Sequence, residues 1–129
     1  MVPSEPERTV RNYLRGWDQW TEDVLARLLG CFTDDAVWHN MPVDPAVGKA
    51  AIEALLRQLG PTWGSVEIQI RNIAADGTTV MVEREDRHLF AGGKKIIMPV
   101  CGVFETRDGL ISACRDYFDF QTWQAHRGT

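Results

Sequence analysis

The apolar residues of this chain change period once, at Gly60-Pro61, and that switch constrains the fold more than any other feature. Before it they recur at helical spacing: Val10, Tyr13, Leu14 and Trp17; then Val24, Leu25, Leu28 and Leu29; then Ile52, Leu55, Leu56 and Leu59. After it they alternate, with Val66, Ile68 and Ile70 set between Glu67, Gln69 and Arg71, as a strand with one buried face requires. Helices first and strands afterwards predict an α+β fold, its helices gathered on one face of a largely antiparallel sheet. No repeat, linker or low-complexity tract divides the sequence, so residues 1–129 are expected to form a single domain.

Local signals place the elements. Ser4 is positioned to cap a helix over 5–17, and Thr21 opens a second helix that Gly30 ends. A third helix is predicted over 48–59, and a short extended stretch over 36–40 runs into Met41-Pro42. Turn signals at Asp76-Gly77, Gly92-Gly93 and Asp108-Gly109 bound strands predicted at 79–90, 96–106 and 110–118.

Composition excludes several classes of function. Apolar residues make up 44% and charged residues 25%, values that suit a packed core and not a disordered chain. The net charge of −4 and the scattered basic residues offer no footprint for nucleic acid; Lys94-Lys95, after Gly92-Gly93, reads as a solvated hairpin tip. No apolar run reaches the roughly 18–20 residues that span a bilayer. The first residues, Met1-Val2-Pro3-Ser4-Glu5-Pro6-Glu7, lack the basic and apolar regions of a secretory leader. Cys31, Cys101 and Cys114 are odd in number and show no CxxC spacing, so buried free thiols in a cytoplasmic protein are expected, without zinc. GxSxG, a glycine-rich phosphate loop and HExxH are all missing.

Three charged residues fall on faces that parity marks as apolar. On the strand over 79–90, Val80, Val82, Arg84, Asp86 and His88 share one side, and Met81, Glu83, Glu85, Arg87 and Leu89 share the other. On the last strand, Leu110, Ser112, Cys114, Asp116 and Phe118 share a side. Counting back from the turns puts Asp86 level with Met98 or Val100, and those residues level with Asp116. An arginine at position 84 would then lie between two carboxylates and bond to each. Two buried carboxylates near one guanidinium leave a surplus negative charge, which favours one ionised and one protonated carboxyl, the equipment for delivering one proton and removing another. Spacing alone leaves a second reading open, a buried ion cluster that sets strand register. Trp38 and Asn40 share a face of the extended stretch. Asn40 reads either as a water-binding amide or as turn chemistry before Met41-Pro42, and Trp38 as core or pocket wall. His39 and His88 have no second histidine at ligand spacing, so metal binding is not expected.

The segments Trp38-His39-Asn40-Met41-Pro42, Glu83-Arg84-Glu85-Asp86 and Arg115-Asp116-Tyr117-Phe118-Asp119 resemble the limonene-1,2-epoxide hydrolase family. Gly48 and Gly102-Val103-Phe104 extend the likeness over almost the whole chain. The resemblance implies a curved, mixed, largely antiparallel sheet wrapped around N-terminal helices in a cone, the cystatin-like α+β barrel of nuclear transport factor 2 and ketosteroid isomerase. It also implies hydrolysis of a small hydrophobic epoxide by water in a homodimer, with no cofactor and no metal. By that carry-over Asp116 is the base on water, Asn40 orients the water, Asp86 is the acid on the epoxide oxygen, and Arg84 bridges the carboxylates. Trp38 departs from the pattern, since the family generally has a tyrosine there that helps hold the water. Leu14, Trp17, Leu56, Leu59, Met98, Val100, Phe118 and Trp123 are the expected walls, together with His88 at a place usually apolar. The rival readings are an isomerase or cyclase of the same fold and a module that binds a hydrophobic ligand.

Overall fold

The computed structural model describes residues 2–127. In chain order the elements are α1 (Glu5–Arg15), α2 (Glu22–Leu29), β1 (Phe32–Met41), β2 (Ala46–Val47), α3 (Lys49–Leu59), a 3-10 turn at Gly60–Thr62, β3 (Ser65–Asp76), β4 (Thr79–Leu89), β5 (Lys95–Arg107), β6 (Leu110–Tyr117) and α4 (Phe120–Arg127). The caps follow the chemistry of the sequence: Ser4 Oγ accepts from the Glu7 amide at 3.3 Å and Thr21 Oγ1 from the Val24 amide at 3.1 Å. Helix α1 stops at Arg15, with Gly16 as its C-cap, so Trp17 lies just past the helix and not inside it. Strand β1 is longer than the predicted 36–40, and β2 and α4 have no counterpart in the expectation.

The strands form one curved, unclosed six-stranded sheet in the order β2-β1-β6-β5-β4-β3. Every neighbouring pair is antiparallel except β1 and β6, which run parallel and put Asn40 beside Asp116 and Trp38 beside Cys114. The concave face carries Val80, Val82, Phe104, Ile111 and Cys114, and the helices seat Val10, Leu14, Val24, Leu25, Leu28, Ile52 and Leu56 on it to make the main core. A smaller cluster of Ile96, Met98 and Val100 packs with Phe90, Phe118 and Trp123.

Strand β6 departs from the expected geometry in two ways. Glu105 pairs with Ala113 while Thr106 pairs with Ile111, so Ser112 is an extra residue, a β-bulge. The bulge flips the parity of what precedes it: Ile111 is fully buried and Leu110 is exposed, whereas Cys114 and Asp116 stay on the concave side. It also advances the register by one: the Arg107–Leu110 pairing alone would set Asp116 opposite Cys101, and the extra residue sets it opposite Gly102. Asp86 pairs with Met98 as expected, but Asp116 lies further along β5 than Met98 or Val100, because the turn at Asp108-Gly109 is closed directly by Arg107 and Leu110. Among the thiols, Cys31 and Cys114 are buried and Cys101 is exposed, because Cys101 lies on the convex side of β5.

Candidate active site

Between the helices and the open end of the sheet lies a cavity of about 660 Å³. Arg84 enters it from β4 with only 4% of its side chain exposed. Its Nε and Nη2 donate to the two oxygens of Asp86 at 2.8 and 3.2 Å, and its Nη1 and Nη2 donate to those of Asp116 at 2.9 and 2.9 Å. One planar guanidinium thus forks onto two carboxylates, a geometry that a lysine does not offer. Burial opposes the charge on Arg84, but Asp116 and then Asp86 outweigh it, so the guanidinium holds its proton more firmly than in water.

Gly102 makes this possible. Arg84 pairs with Val100 and Asp116 with Gly102, so the guanidinium must slant across β5 to reach its second partner. A Cβ at position 102 would stand 2.5 Å from Arg84 Nη1 and 2.7 Å from Asp116 Oδ1. The glycine leaves a notch through which the ion pair passes.

The remaining predicted residues divide cleanly. Asn40, Trp38, Trp17, Leu59, His88, Met98, Val100, Phe118 and Trp123 line the cavity with the trio. Leu14 and Leu56 do not: each is 2% exposed within the main core. Their helices explain why. Each apolar stripe has two rows: Val10 and Leu14 of α1 face the core alone, while Tyr13 of α1 and Trp17, just past its end, also reach the cavity. On α3, Ile52 and Leu56 take the core, and Leu55 and Leu59 take the cavity. Sequence reading missed Tyr13, Leu55, Trp63, Val66 and Ile68, together with Val43, Asp44, Phe120 and Gln124. Tyr13 and Leu55 were detectable as the i−4 neighbours of Trp17 and Leu59; Trp63 had no periodic signal.

The walls are largely aromatic. Trp63 sits 5.6 Å from Trp17 and 6.2 Å from Trp38, ring centre to ring centre. Tyr13 meets Trp17, Phe32 and Phe104 edge to face. Burial, reinforced by Cys114 and Asp116, pushes the Tyr13 phenol well above its ordinary range, and burial does the same to the Cys114 thiol, so both are neutral at physiological pH. Among the described residues no group of three or more His, Cys, Asp or Glu side chains is placed to hold a metal ion, and no helix is long and apolar enough to cross a membrane.

Solved structures with this architecture include TerC co-crystallised with polyporic acid, at 16% identity and a TM-score of 0.81 over 98% of this chain and 100% of the other. A protein of ketosteroid isomerase-like fold from Catenulispora acidiphila, at 18% identity and a TM-score of 0.78, covers 93% of this chain and 92% of its own. They establish the class as a nuclear transport factor 2-like α+β fold, in this case with an arginine forked between two aspartates in its concave pocket. A Mycobacterium tuberculosis LEH-like epoxide hydrolase superposes with a TM-score of 0.78 at 30% identity, over 95% of this chain and 88% of the other. Epoxide hydrolase EphG of Mycobacterium tuberculosis strain H37Rv is 39% identical over 97 residues, 75% of this chain, and the match spans 62% of EphG. Residues 4–126 match the limonene-1,2-epoxide hydrolase catalytic domain, and the chain belongs to that family.

Proposed function

We propose that this chain hydrolyses a hydrophobic epoxide, cyclic, terpene-like or steroid-like, to a vicinal diol in one acid–base step without a cofactor. One observation carries the reading: a buried arginine bonded to both oxygens of each of two aspartates that face one aromatic-walled cavity. Its volume of about 660 Å³ falls in the ~300–1,000 Å³ range of small-ligand pockets.

Charge counting assigns the protons. One guanidinium balances one carboxylate, so a single proton on the other carboxyl leaves the trio neutral. Asp116, beside Asn40 on the parallel ladder, is the base: it takes a proton from water as the water oxygen attacks a ring carbon. Asn40 orients that water, with Trp38 forming the wall beside it. As the carbon–oxygen bond breaks, Asp86 gives its proton to the departing oxygen, which spares the site a free alkoxide. The proton now on Asp116 then returns to Asp86 through water. Throughout, Arg84 holds both carboxyls in place and the trio's net charge is unchanged.

A homodimer formed through the convex sheet face, in the cytosol, completes the proposal. The exposed Met81, Ile97 and Tyr117 on that face support the first part, and the exposed free thiol of Cys101 suits a reducing compartment. Sedimentation that shows only monomer would remove the dimer. The activity is tested by diol formation from a panel of cyclic, terpene, styrene-type and steroid epoxides, with Asp86→Asn and Asp116→Asn as controls. Each variant is expected to lose about 10²–10⁴-fold in rate while keeping its fold. Full activity in either variant refutes the assigned roles; ligand binding without turnover of any epoxide replaces hydrolysis with a binding function.

A further inference from the structure

His88 stands two residues beyond Asp86 on the concave face of β4, so their Cα atoms are about 7 Å apart and their side chains leave on the same side. The residue is 8% exposed and lines the cavity. Its Nδ1 lies 3.0 Å from the backbone carbonyl oxygen of Trp63. A carbonyl oxygen only accepts, so Nδ1 carries the hydrogen. Burial pushes the imidazole below its ordinary range, against the weaker opposing pulls of the Trp63 carbonyl and Asp86, and keeps the ring neutral near pH 7. A neutral ring with its hydrogen on Nδ1 presents a bare lone pair at Nε2.

That lone pair is open to the cavity. Among the described residues nothing in the protein donates to Nε2, yet the one sealed and unpartnered side-chain nitrogen or oxygen is Arg87 Nε. The imidazole is also fixed in direction, stacked on Phe90 at 6.4 Å and 16° and packed against Trp123 at 4.8 Å. An apolar ligand that covered Nε2 would bury an acceptor without a donor, while a hydroxyl would satisfy it.

We propose that His88 Nε2 is a specificity determinant, and that the substrates are apolar epoxides with a hydroxyl group set one carbocycle away from the oxirane. This rests on the hydrolase reading above and adds the second anchoring point of the substrate. With the oxirane oxygen at Asp86, the hydroxyl donates to Nε2 one strand step away, and the two contacts orient the ring between the tryptophans.

The test compares three cyclic epoxides of similar size, with hydrogen, hydroxyl or methoxy on the carbon across the ring. The methoxy compound keeps the oxygen but cannot donate. Wild-type protein is expected to favour the hydroxyl compound in kcat/KM by about tenfold to a hundredfold over both others, the range of an unmet buried acceptor. In His88→Leu and His88→Phe that ratio should fall to about one. A readout that needs no variant is the nitrogen NMR spectrum of the wild-type histidines. It should show hydrogen on Nδ1 of His88, and an Nε2 signal that moves with the hydroxylated diol product but not with its methoxy counterpart. Equal kcat/KM for all three epoxides, a ratio unchanged in both variants, or hydrogen on Nε2 overturns the inference about His88 alone. No turnover of any of the three by wild-type protein overturns the hydrolase reading and the substrate class with it.

Discussion

Substituting Gly102 by alanine places one methyl group in the path of the Arg84–Asp116 bond and leaves every acid, base and partner in the chain. The new Cβ would begin 2.5 Å from Nη1 and 2.7 Å from Asp116 Oδ1, where 3.4–4 Å is ordinary contact. To relieve that clash the guanidinium must withdraw by about 1 Å, and its 2.9 Å bonds to Asp116 then open beyond hydrogen-bond reach. Misplacement on that scale lowers the chemical step by about a hundredfold, equivalent to about 2.7 kcal/mol of transition-state stabilisation. Alanine also stiffens the unfolded strand, which offsets part of the stability lost with the ion pair, so activity should fall much further than stability. The assay is kcat for diol formation beside a thermal melt. Cys101→Ala, on the convex side of the same strand, serves as control and should stay within about twofold. A Gly102→Ala protein that retains wild-type kcat refutes the notch and, with it, the claim that the Arg84–Asp116 bond organises the site.

Arg84→Met removes the charge that the buried Asp116 and the partly buried Asp86 share and should lower stability by about 3 kcal/mol, measured by denaturant titration; an unchanged midpoint refutes the role of the trio in the fold. His88 gives a pH dependence of definite sign. Its folded imidazole resists the proton that the unfolded one accepts below about pH 6.5, so the unfolded state binds more protons and stability falls on acidification. Denaturation midpoints at about pH 7.5 and 5.5 should therefore differ less in His88→Phe than in wild type, and equal differences would count against a neutral buried imidazole.

The α+β class, the order of the elements and the concave placement of Arg84, Asp86 and His88 were legible because β4 is regular and its parity unbroken. The level of Asp116 was not. Nothing about Ser112 announces a bulge, and one extra residue there both buries Ile111 in place of Leu110 and brings Asp116 opposite Gly102. The cavity walls were legible only as stripes. Periodicity says that Tyr13, Leu14, Leu55 and Leu56 turn inward, but which row meets packed core and which meets empty space depends on where the helix sits on the sheet. Helix α4 escaped for a related reason: its apolar pattern is too weak to stand out, and Trp123 is held by His88 and not by a stripe of its own.

The parallel ladder between β1 and β6 also has a kinetic meaning. Arg84, Asp86 and Asp116 belong to consecutive hairpins, and their contacts close over only 32 positions. Asn40 comes from the first strand and reaches Asp116 only when that strand docks against the last, a long loop closure of the kind that slows folding. During refolding the ion cluster should therefore assemble early and the pairing of Asn40 with Asp116 late. Recovered turnover would then report the final docking of the chain, in step with the burial of Trp38, which lies on the same strand and meets Trp63 only when it docks.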